Sequence, residues 1–186
     1  WSGSMGDVML DTMKQLFNLV WFCKKVGIPF DVYAFTNDYP RNDGTGIAEL
    51  SYKKRDGLVQ IRENFSMMNI LTSKVKSKEL EQQMVHMFRI AYYFSSNWGV
   101  PYGVPLGMYL SGTPLNEALI TLKQIIPQFQ SQNNVEKVQC VVLTDGEAPP
   151  LKYHKEFTHR PYAEPYLGIN GLSNNSFIRD RKTGHT

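Results

Sequence analysis

The sharpest constraint on this chain is residues 138–143, Val-Gln-Cys-Val-Val-Leu, a nearly continuous apolar run that stops at Thr144-Asp145-Gly146. A run of this length and character reads as a central parallel strand covered on both faces. The flanking pattern alternates strand with helix, so the expected fold is α/β, with an open, mostly parallel sheet doubly wound into three α/β/α layers. Ligands of such sheets bind beyond the carboxyl ends of the strands.

The other elements follow from periodicity and punctuation. Met9, Met13, Leu16, Val20 and Cys23 recur at helical steps, with Phe17 and Trp21 beside them. Gly27 is placed to cap that helix and Pro29 to prevent its resumption. Residues 30–36 are aromatic and β-branched, as in a strand, and residues 37–46, with Pro40, Gly44 and Gly46, read as a turn region. Residues 58–61 form a candidate edge strand. A second helix is expected from Ser77 to about Phe94, with Leu80, Met84, Met87 and Ala91 on one stripe. Residues 98–112, rich in glycine and proline, read as a loop. Thr113 as cap and Pro114 as first helical residue open a third helix, whose buried face is expected at Leu115, Leu119, Leu122 and Ile126.

Composition narrows the functional classes. The 186 residues suffice for one domain, and 42% apolar with 20% charged residues is ordinary for a globular protein. Twenty basic against 17 acidic side chains leave a net charge of +3, too little to argue for nucleic acid. Lys74, Lys76 and Lys78 read as a solvated approach to a helix rather than a phosphate patch. No apolar run approaches the ~20 residues that span a bilayer, and no basic-then-apolar leader is visible. Cys23 and Cys140 both lie in apolar stretches and read as core thiols, which suits a reducing, cytoplasmic setting.

Four oxygen-bearing residues fall at the expected strand ends and helix starts: Ser2, Ser4, Thr113 and Asp145. Hydroxyls and a carboxylate are hard ligands, suited to Mg2+ or Mn2+ and poor for zinc. Few protein ligands, most of them neutral, leave coordination positions for water and for a partner's carboxylate. Each residue also has an ordinary structural reading. Ser4 and Asp7 fit a capping box, Thr113 a helix cap, and Asp145-Gly146 a turn. The four together favour a metal site.

Other motifs carry less. His154 and His159 lack further ligands at zinc spacing, and His86 reads as structural. Gly44-Thr45-Gly46 lacks the third glycine of a dinucleotide loop. There is no Gly-x-x-x-x-Gly-Lys, and Ser2 stands where a Gly-x-Ser-x-Gly nucleophile elbow requires glycine.

Ser2-Gly3-Ser4-Met5, Ser-Gly-Thr-Pro-Leu at 111–115 and Leu-Thr-Asp-Gly at 143–146 resemble the metal-ion-dependent adhesion site of von Willebrand factor A domains. The serines of that family's Asp-x-Ser-x-Ser motif fall on Ser2 and Ser4, its threonine on Thr113 and its later aspartate on Asp145. The leading aspartate would fall just before Trp1. The resemblance covers residues 1 to about 150 and implies a Rossmann-like sheet. Within the superfamily, the motifs look most like the T subunit of aerobic cobaltochelatase, and similar domains occur in tailed phages beside a MoxR-type AAA+ ATPase gene.

Several expectations follow from that resemblance. Residues 1–186 form one domain, incomplete at both ends, whose first strand precedes Trp1. Residues 147–186 hold an ordered insertion and an incomplete hairpin around Phe177 and Gly184. Cation binding is expected to be weak, and restored by the upstream strand. The domain binds a protein through its metal rather than performing catalysis of its own. Its partner is an AAA+ ATPase or that enzyme's client, gripped through an acidic residue, with no nucleic acid and no membrane. The alternatives are an extracellular adhesion domain and a subunit of a true metal chelatase.

Overall fold

The structure, a computed structural model, describes residues 1–37, 53–61, 64–96, 101, 103–144, 146–158, 164–173 and 175–185. The chain is mixed α/β, with three long helices and two small antiparallel sheets among these residues.

The chain opens with a short 3-10 helix, Gly3–Val8, that runs directly into α1, Met9–Val26. Gly27 ends α1 in the left-handed region, φ 74°, and the Ile28 N–H bonds the Cys23 carbonyl at 2.9 Å. Glycine is favoured at this position because a side chain would crowd the following carbonyl.

Strand β1, Asp31–Thr36, follows and pairs antiparallel with β3, Ser66–Thr72, with Asp31 opposite Thr72 and Thr36 opposite Ser66. The pair is fixed at one end by side chains. The Thr72 hydroxyl donates to Asp31 Oδ1 at 2.6 Å, and the Phe30 N–H donates to Ser73 Oγ at 3.0 Å.

The core lies between α1, α2 (Ser77–Ser95) and this strand pair. Met9, Met13, Leu16 and Val20 project from α1, and Leu80, Met84, Met87, Ile90 and Ala91 from α2. They close on Ala34 and Leu71 of the strands. Spacings of three and four residues put each set on a single helical face, as the periodicity requires. Met5, Trp1 and Val104 seal the end nearest the first turn. Methionine recurs throughout because its unbranched thioether fills irregular gaps.

The second sheet is formed by β2 (Val59–Gln60), β4 (Lys152–Phe157) and β5 (Tyr166–Gly171), with β4 in the middle. The expected edge strand at 58–61 is thus β2. The region read as an ordered insertion contains the β4–β5 hairpin.

Three local readings are corrected. Residues 138–143 run without strand pairing, and Val141, Val142 and Leu143 are exposed, as is Cys140. An apolar run becomes a central strand only when neighbours supply its hydrogen bonds, and the two described sheets are built elsewhere. Helix α3, Leu115–Asn133, begins with Pro114 at the cap, so proline stands one place earlier than expected. Of its expected buried face, Leu119 is exposed, while Glu117 and Ala118 are buried instead. Toward the end of the chain, the Asp180 N–H bonds the His185 carbonyl and the Gly184 N–H the Asp180 carbonyl, closing a tight turn.

No helix among the described residues is long and apolar enough to cross a membrane.

Candidate metal centre

Trp1 anchors the chain's first turn. Its indole is buried, donates from Nε1 to the Met108 carbonyl at 2.6 Å, and meets Phe94 edge-on. The backbone beyond it pairs in parallel with the loop before α3. Ser111 N–H bonds the Trp1 carbonyl at 3.3 Å, and Gly3 N–H bonds the Ser111 carbonyl at 2.7 Å. This pairing carries Ser2 and Ser4 to the segment that bears Thr113, although more than a hundred residues separate them in sequence.

Ser2 is buried, and its Oγ lies 3.1 Å from Ser4 Oγ. Adjacent vertices of an octahedron around Mg2+, with ligands at about 2.0–2.1 Å, stand about 3 Å apart. The two hydroxyls therefore already have the separation of neighbouring ligands on one small hard cation. Neither makes a side-chain cap to the 3-10 helix or to α1, whose cap residue is Val8, so the capping-box reading of Ser4 and Asp7 is not realised.

Thr113 does not cap a helix either. No side-chain cap bond is made at the start of α3, and the Thr113 carbonyl accepts the Leu115 N–H at 2.8 Å. Its hydroxyl and that of Ser4 both lie beside Gly146. A methyl group placed on Gly146 would stand 3.3 Å from Thr113 Oγ1 and 4.0 Å from Ser4 Oγ. The Thr113 and Ser4 hydroxyls thus border the space next to Gly146, and Ser2 Oγ lies 3.1 Å from Ser4 Oγ. The fourth expected ligand, Asp145, lies outside the described residues.

Two contacts hold the segments around this space. The buried Asn37, at the carboxyl end of β1, accepts the Gly112 N–H on Oδ1 at 2.8 Å. Asn116 of α3 donates from Nδ2 to the Pro149 carbonyl at 3.0 Å, tying the helix start to the loop beyond Gly146. Both residues were missed in the sequence. For Asn37, the available signal was its place at the carboxyl end of an α/β strand.

The donor set fits a hard divalent cation: closely spaced neutral oxygens, accessible from solvent at Ser4 and partly so at Thr113. Among the described residues, no group of three His, Cys, Asp or Glu side chains stands ready to hold a metal ion. His154 is buried in β4, and His159 lies outside the described residues. Lys74 donates to Gln132 Oε1 at 2.6 Å and sits 3.4 Å from Asp31 Oδ2, an exposed tether at the far end of β1.

Compared with known proteins, the chain matches no family profile, no curated protein and no solved structure.

Proposed function

We propose that this chain is a von Willebrand factor A-type domain that binds a protein partner through a divalent cation held by Ser2, Ser4, Thr113 and Asp145. The observation that carries the reading is the Ser2–Ser4 hydroxyl pair at 3.1 Å, with the Ser4 and Thr113 hydroxyls both beside Gly146. When bound, Mg2+ or Mn2+ supplies a Lewis-acidic centre for an acidic side chain of the partner. The chain's own hydroxyls fix its position and leave coordination sites open. The role is recognition, without catalysis of its own.

The finer architecture belongs to the same proposal. An antiparallel strand pair is compatible with the edge of an otherwise parallel, doubly wound sheet. The Ser2–Ser111 parallel bridge is compatible with parallel pairing at its centre. The motifs at Ser2-Gly3-Ser4-Met5, 111–115 and 143–146 favour a partner of the MoxR-type AAA+ class or its client, as in domains resembling the cobaltochelatase T subunit. The unpaired thiols of Cys23 and Cys140 suit a reducing compartment.

Isothermal titration with Mn2+ tests the reading directly. The parent chain is expected to bind one ion, with Ser4→Ala and Thr113→Ala each weakening it at least several-fold. Equal affinity in all three proteins would remove the hydroxyls from the site.

A further inference from the structure

Glu117 occupies the first turn of α3, is 3% exposed, and has an Oε2 that is sealed from solvent and accepts no hydrogen bond among the described residues. An ionised carboxylate in such surroundings is strongly unfavourable unless donors or a cation compensate it. A glutamate three residues after the cap ordinarily reaches back to accept the cap residue's own N–H. Here the cap is Pro114, which has no N–H. The ordinary partner of this carboxylate is therefore absent by covalent structure.

The same turn borders the hydroxyl cluster. Thr113 immediately precedes the cap, and Asn116 ties the turn to the loop after Gly146, which itself lies against Thr113 and Ser4. Of the four proposed ligands only Asp145 brings charge, one against the two of the ion, and charge count largely sets how well a hard cation is held.

We propose that Glu117 is the compensating anion of the cation site bordered by Ser2, Ser4 and Thr113, an inference that rests on the metal-binding reading above. Glu117 balances the ion's charge, and the ion in turn relieves the buried carboxylate. Binding and stability of the fold are thereby coupled through this one side chain.

The test measures Mn2+ affinity by electron paramagnetic resonance, and thermal unfolding with and without Mg2+, for the parent chain, Glu117→Gln and Thr113→Ala. Glu117→Gln is expected to melt higher than the parent without metal, to bind Mn2+ at least tenfold more weakly, and to lose the metal-induced rise in Tm. If Glu117→Gln binds as the parent does while Thr113→Ala does not, Glu117 is only a buried acid at a helix start. The proposal then falls and the hydroxyl site stands. If the parent itself binds no Mn2+, the metal-binding reading falls and takes the proposal with it. Should Glu117→Gln not fold, Glu117→Asp keeps the charge but withdraws it by one methylene, and unchanged Mn2+ affinity in that variant overturns the proposal.

Discussion

The Asn37 side chain and the Gly112 backbone interlock: Oδ1 accepts the Gly112 N–H at 2.8 Å, and a Cβ on Gly112 would lie 2.9 Å from Asn37 Nδ2. The end of β1 thereby sets the position of the loop that presents Thr113. Asn37→Ala is expected to destabilise the fold by about 1 kcal/mol through the lost hydrogen bond. Gly112→Ala should cost a similar amount by displacing the amide. Because both changes break the same contact, the double variant should cost less than the two singles combined. Urea unfolding of the four proteins checks this, and strict additivity would count against the interlock.

Gly146→Ala separates site geometry from folding. The added methyl would sit 3.3 Å from Thr113 Oγ1, a tight approach that the threonine can relieve only by turning its hydroxyl. The expected result is weaker Mn2+ binding with a urea midpoint close to the parent's. A lowered midpoint with unchanged Mn2+ binding would place Gly146 in structure alone.

Trp1 gives a graded series. Trp1→Phe retains a ring against Phe94 but leaves the Met108 carbonyl without its indole donor, an expected loss of about 1–3 kcal/mol. Trp1→Ala also opens a cavity at the end of the core, with an expected loss of about 3–5 kcal/mol. Equal unfolding midpoints for the parent and Trp1→Ala would mean that the indole is not the anchor of the first turn.

Asp180 contributes a small, pH-dependent share of stability. Hydrogen bonding from the Lys123 ammonium is the largest influence, followed by the N–H groups of Lys182 and Thr183, and together they lower its pKa from 3.8 to about 2. Between those values the unfolded chain takes up the proton more readily than the folded one. The stabilisation from Asp180 is therefore fully present above the ordinary carboxylate value and is lost as pH falls toward 2. Asp180→Asn should flatten the decline of the urea midpoint across that interval. An unchanged slope would show that the C-terminal turn does not hold this carboxylate against α3.

What could be read in the sequence depended on whether the cause was local. The end of α1 was legible because Gly27 carries its own conformational signal, and the stripes of α1 and α2 were legible because burial repeats with the helical turn. The strand status of residues 138–143 was not, since a ladder needs another segment's N–H and C=O groups, which composition does not encode. Thr113 and Pro114 were located as a helix start. Only the structure shows the cap falling on Pro114, with the threonine hydroxyl beside Gly146 rather than capping the helix. Glu117 is inconspicuous in the sequence as an acid in a first turn, and its burial depends on tertiary packing. The Ser2–Ser4 pairing was suggested by spacing, whereas the bridge from Ser2 to Ser111 joins segments more than a hundred residues apart and has no local signal.

The buried cluster is drawn from the chain's first 104 residues, with Met108 and Leu110 packed against it, and takes no side chain from α3 or from the β4–β5 hairpin. Resistance to opening should therefore be layered. Amides of α1, α2 and the β1–β3 pair should exchange with deuterium only through global unfolding, while those of α3 open through smaller fluctuations. The hydroxyl cluster lies at that boundary, with its serines on the slow-exchanging layer and Thr113 on the fast one. An ion bridging them would slow exchange in α3 far from any atom it touches.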